Sequence, residues 1–187
     1  MHDKKLLEII DLARETDLVA AKTYFNLAEQ FRKTDLGDFW RGMAEEEQKH
    51  ARLWLHLHQL ARDGMIPPLF DSPDEVLKDM RRNFESAKNL QQVCCLGVDM
   101  AQAFFHAYTV EYHMLHFAFE FLFSFADSLE NLPDGLSVHK DYERHINDFI
   151  EATERYGVMS PELRLLGDAL LRLLETNRRL WRSANSC

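Results

Sequence analysis

The chain has 187 residues, 46% of them hydrophobic and 28% charged, a balance that excludes a disordered or fibrous protein and suits one domain, residues 1–187, with a well-filled core. Only 7 glycines and 5 prolines punctuate it, so long helices with few connections are expected rather than a sandwich or barrel. A formal charge of -9 argues against a broad nucleic-acid surface, which needs clustered Lys and Arg; the one basic run, "RRLWR", reads as the last turns of an amphipathic helix, where cations suit the dipole.

The opening "MHDKKLLEIIDLARETD" lacks the uninterrupted apolar core and small-residue cleavage site of a signal peptide, so export is not expected. Apolar and small residues then recur at Leu6, Ile9, Ala13, Ala20, Tyr24, Leu27 and Phe31, the three-and-four spacing of one face of a helix over about residues 4–32. The one charged member of that series is Asp17. A second helix is predicted over 36–63, with its stripe at Trp40, Met43, Trp54, Leu57 and Ala61 and its stop at Gly64, Pro67 and Pro68. Glu47 and His50 interrupt this stripe. In "DSPDEVL", Ser72 is placed to cap a helix over 73–88, with Pro73 at its first position and Glu75 completing a capping box.

Cys94, Cys95 and Cys187 form an odd set with two adjacent, which is neither a disulfide framework nor a C-x-x-C metal knuckle; a reducing, cytoplasmic setting fits, and the adjacent pair reads as core filler. The next pattern, 93–128, keeps Met100, Phe104, Ala107, Met114, Ala118, Phe121 and Phe125 in register with one charged member, Glu111. Within it, His106, Glu111, His113, His116 and Glu120 interrupt the most apolar stretch of the chain, which argues against a membrane span. The run "FAFEFLFSF" is richer in phenylalanine than a helix buried on one side needs, and predicts an apolar surface shared in a homo-oligomer, a dimer most simply.

"NLPDGLS" supplies a turn through Pro133, Asp134 and Gly135, with Ser137 as a cap. The helix that follows, 137–156, carries Val138, Tyr142, His145, Phe149 and Ala152 on one face and stops at Gly157. Its polar interruptions are Tyr142 and His145. "SPE" starts a last helix over 161–183 with no comparable polar group on its apolar face, as a packing or oligomer helix would have.

Asp17, Glu47, His50, Glu111, Tyr142 and His145 thus break apolar stripes on four helices. A bare buried carboxylate costs several kcal/mol, so inward carboxylates beside inward imidazoles imply a compensating cation, and iron or manganese suits that ligand chemistry. The intervals repeat: Asp17 to Glu47 and His50 is 30 and 33 residues, and Glu111 to Tyr142 and His145 is 31 and 34. Two helix pairs carry one arrangement, an acidic group followed by an i, i+3 pair, which a pseudo-two-fold bundle brings together.

The stretch "DLVAAKTYFNLAEQFRKTDLGDFWRGMAEEEQKHARL" resembles the first helical hairpin of rubrerythrin-like proteins of the ferritin-like superfamily, with Asp17, Tyr24, Glu47 and His50 at the positions of an acidic ligand, a Tyr and a Glu-x-x-His. The second hairpin, Glu111 to His145, matches in part. This resemblance implies an all-α four-helix bundle with a crossover that contains the 73–88 helix and an extra C-terminal helix, holding a di-iron carboxylate centre. Asp17, Glu47, His50, Glu111 and His145 become its metal ligands, with two ions per chain and manganese or zinc as alternatives to iron. The implied chemistry is reduction of peroxide or oxidation of ferrous iron by oxygen, with an external electron donor where peroxide is reduced, because no paired C-x-x-C motifs are present to hold a rubredoxin iron. Metal binding or iron handling at a degenerate, single-metal site without turnover is the alternative.

Two positions depart from the family. Asp17 is one methylene shorter than the usual Glu, and Tyr142 stands where the second Glu-x-x-His has its Glu. Tyr142 can ligate as a phenolate, Asp141 or Glu143 can swing in, or one metal position is weak or empty; Asp141 lies i, i+4 from His145 and is favoured over Glu143. Glu45 and Glu46 are assigned to a solvated face. His56, His58, His106, His113, His116 and His139 are given surface or outer roles, and Tyr24 packing with a hydrogen bond.

Overall fold

The computed structural model describes residues 4–127 and 138–184, without the side chains of 117, 127, 138–141, 177 and 180–184. The described residues are all-α, with no strand. In order they form α1 (Lys4–Gln30), α2 (Asp35–Arg62), α3 (Pro73–Cys95), α4 (Met100–Met114), α5 (Phe117–Asp127), α6 (Val138–Arg155) and α7 (Pro161–Ala184). The turn expected at Pro133 to Gly135 and the Ser137 cap lie outside the described residues. No described helix is long and apolar enough to cross a membrane. By their contacts the helices divide into two compact units, Met1–Gly97 with α1 to α3 and Val98–Cys187 with α4 to α7.

In the first unit α1 and α2 pack along their apolar stripes, and Leu6, Ile9, Ala13, Tyr24, Leu27, Trp40, Trp54 and Leu57 are buried. Tyr24 stacks on Trp40 with ring centroids 5.7 Å apart. Gly64, at φ 74, takes the left-handed conformation that closes α2, as its sequence position predicts. Pro73 occupies the first turn of α3, but the Ser72 side chain makes no capping hydrogen bond, so the expected capping box with Glu75 does not form. The helix also continues well beyond residue 88, to Cys95.

That extension is held by α1. Asn26 Nδ2 donates to Cys95 Sγ at 2.9 Å and Gln30 Nε2 to the Cys94 carbonyl at 2.6 Å, while at the other end Lys5 pairs with Asp74 and Arg81 with Glu8. Start meets start and end meets end, so α3 runs parallel to α1. The exposed ion pairs set this register more than they stabilise it, since such pairs contribute at most about 1 kcal/mol each.

The long helix expected over 93–128 is interrupted twice: residues 93–95 end α3 in the first unit, and in the second unit the pattern is divided between α4 and α5. Asp99 and Gln102 form a true capping box at the start of α4: Gln102 N donates to Asp99 Oδ1 at 2.8 Å, and Asp99 N to Gln102 Oε1 at 3.0 Å. The chain leaves the helix at Leu115 and His116, where His116 Nδ1 accepts from Ala118 N at 3.2 Å. An imidazole thereby caps α5, a role usually filled by Ser, Thr, Asp or Asn. In the phenylalanine-rich α5, Phe119, Leu122 and Phe123 are buried and Phe121 and Phe125 half-buried. Ser160 Oγ accepts from Leu163 N at 3.2 Å and caps α7 as expected. That helix packs on α4, α5 and α6 through Leu163, Leu170 and Leu174, the packing role its sequence indicated.

Two tests follow from the first unit. A Cβ at Gly37 would stand 2.8 Å from the Phe31 carbonyl oxygen and 2.9 Å from Arg32 Cα, backbone that cannot rotate away. Gly37→Ala is expected to cost about 1–3 kcal/mol in urea unfolding, whereas Gly42→Ala, with open space around it, is expected to gain about 0.5–1 kcal/mol. Burial and the neighbouring Cys95 push the Cys94 thiol up to about 11 while Cys95 is exposed, so iodoacetamide at pH 8 should label Cys95 and leave Cys94 unmodified in peptide mass maps of the native protein.

Candidate metal centre

Helical periodicity places the polar members of the α1 and α2 stripes on the faces that those helices bury. Asp17 is 2% exposed, Glu47 0% and His50 4%, among Ala13, Ala20, Trp40, Ala51 and Trp54. Each offers one ligand atom, and the three atoms all lie within 4.8 Å of one another. His50 Nδ1 is 3.2 Å from Glu47 Oε2. Two donors bound side by side on an ion at about 2.1 Å sit about 3.0–3.4 Å apart, so this pair already has the spacing of two ligands of one metal. Two carboxylates and an imidazole are also the donor chemistry that iron, manganese and zinc accept. The residues present therefore fit an ion.

Trp54, a member of the apolar stripe of α2, is also a polar neighbour of this cluster. Its indole Nε1–H donates to Asp17 Oδ2 at 2.5 Å. The signal was present in the spacing, because Trp54 falls four residues after His50 and seven after Glu47 and so shares their face. Tyr24 is buried against Trp40. Of the three consecutive glutamates, Glu47 is buried, Glu46 half-buried and Glu45 exposed, so the stripe selected the inward one.

In the second unit Glu111, in the last turn of α4, and Tyr142 and His145, on α6, are buried together. His145 Nε2 lies 3.0 Å from Glu111 Oε1, and the Tyr142 hydroxyl donates to Glu111 Oε2 at 3.4 Å. The Tyr142 and His145 rings stack at 6.0 Å with 18° between their planes, and Phe123 packs on Tyr142 at 5.7 Å. The two units therefore differ. On α2 the imidazole meets a carboxylate one turn away on its own helix, whereas on α6 a phenol stands at that position and the imidazole meets the carboxylate of another helix. The side chain of Asp141 lies outside the described residues, and Glu143 is exposed and pairs with Arg178 at 3.1 Å instead of turning inward. Glu120, on α5, is a further buried carboxylate and lies outside the register of the predicted stripe.

Three further histidines have other surroundings. His116 caps α5, His58 Nε2 is 3.6 Å from Asp11, and burial lowers the His106 imidazole below its ordinary range. Compared with protein-family models and with curated proteins, the sequence matches none.

The Glu111 contacts can be ranked by mutation. His145→Ala removes the imidazole beside a fully buried carboxylate and is expected to cost about 3 kcal/mol or more, while Tyr142→Phe deletes one long hydrogen bond and should cost about 1 kcal/mol. Urea unfolding of the two variants checks the order.

Proposed function

We propose that the protein is a ferritin-like metalloprotein of the rubrerythrin type, which binds iron or manganese and either reduces peroxide or oxidises ferrous iron. One observation carries the proposal: Asp17, Glu47 and His50, all buried, bring their ligand atoms within 4.8 Å of one another. Burying that set without an ion leaves two carboxylates in an apolar helical core, at a cost of several kcal/mol that a bound cation offsets. Asp17, Glu47 and His50 hold one ion, and Glu111 and His145 supply ligands for a second. A bound redox metal would supply the one-electron chemistry for peroxide or oxygen.

The side chains have separable duties in this proposal. The carboxylates balance the charge of the metal, and the neutral imidazoles tune its potential without adding charge. The Tyr142 hydroxyl holds Glu111 by its Oε2. Burial keeps bulk water from the carboxylates of Asp17, Glu47 and Glu111. Peroxide reduction needs an external electron donor, and in ferrous iron oxidation Fe2+ itself gives up the electrons that oxygen or peroxide takes.

A second reading, metal binding or iron handling at a single ion without turnover, is favoured by one feature. Where the first unit has Glu47, the second has Tyr142, a hydrogen-bond donor to Glu111 instead of a second carboxylate. Metal analysis after loading with ferrous iron separates the two: about two irons per chain with peroxide turnover fits the first, and one tight, unreactive ion fits the second. Iron at 100 times its dissociation constant should stabilise the fold by about 2.7 kcal/mol, and Glu47→Ala should abolish that gain. Purified protein that takes up no metal, with no gain to abolish, would sink both readings.

A further inference from the structure

We propose that Trp54 is a positioning residue of the metal site, whose indole N–H sets the rotation of the Asp17 carboxylate so that this short side chain meets the ion together with Glu47 and His50. The inference rests on the metal-binding proposal for those three residues. Aspartate at position 17 has one methylene fewer than a glutamate and so reaches less far from α1. Its carboxylate turns about two side-chain torsions, and only part of that range aims an oxygen at the ligand atoms of α2.

Trp54 restricts the range. It is fully buried on α2, four residues beyond His50 and seven beyond Glu47, so one helix face carries both of the ligands on α2 and the group that holds the ligand from α1. An indole N–H is a donor only; it cannot ligate a metal or take up a proton. It donates to Asp17 Oδ2 at 2.5 Å, and a hydrogen bond to a carboxylate is of the charge-assisted type. Groups that orient a metal ligand in this way typically change affinity ten- to hundredfold when removed, although they never touch the metal.

Trp54→Phe keeps an aromatic ring and deletes the N–H, and Zn2+ alone serves as the probe. The expected result is zinc binding by the wild type, with the assigned Trp54 indole N–H resonance moving more than those of the other two tryptophans, and binding about tenfold or more weaker in Trp54→Phe at unchanged helix content. In an Asp17→Ala background the same change should cost no further affinity, because Trp54 acts through Asp17. Zinc bound equally by wild type and Trp54→Phe, or an equal loss with and without Asp17, overturns the positioning role while leaving the metal site intact. Wild-type protein that binds no zinc overturns the metal site and the positioning role together. If Trp54→Phe does not fold, the wild-type spectrum decides: an indole resonance unmoved by bound zinc overturns the inference.

Discussion

Asp17, Glu47 and Glu111 are buried among leucine, phenylalanine, alanine and tryptophan, and a carboxylate in such a place must find compensating donors or a cation. Much of what is specific in the two helical units answers that constraint. His50 and Trp54 converge on the carboxylates of the first unit, and His145 and Tyr142 on that of the second. Apolar side chains alone would fill these helix faces with less cost. Acids and imidazoles gathered at this spacing are groups that could hold a metal ion.

The two units meet the same demand by different means. In the first, two acids and an imidazole gather with an indole N–H as the orienting donor. In the second, one acid is met by an imidazole on one oxygen and a phenol hydroxyl on the other. The sequence difference between "EQKH" and "YERH" is the chemical origin of that contrast.

Helix punctuation shows where local patterns suffice and where they fail. Ser160 followed by Pro161, and Gly64 after α2, behave as their types predict, because capping and left-handed turns depend on a few adjacent residues. Ser72 has the right neighbours and still makes no cap hydrogen bond, while Asp99 with Gln102 forms the box that was expected there. The division of the 93–128 pattern into α4 and α5 was equally hidden: its apolar period continues unbroken across Leu115 and His116, and the interruption comes from an imidazole that accepts a backbone N–H.

By itself the sequence determined the all-α class, the faces of the helices and the inward turn of Asp17, Glu47, His50, Glu111 and His145, though not that of Glu120, since a 3.6-residue period that nearest neighbours along the chain impose carries the former. It also set apart Glu47 from Glu45 and Glu46. The tertiary structure alone decided that Trp54 would hold Asp17 across 37 positions of chain, that Tyr142 would donate to Glu111 across 31, and that α3 would lie parallel to α1 with Asn26 on Cys95. Those pairings are set by which helix faces pack and at what register, a balance of many small contact energies between distant segments that no local spacing encodes.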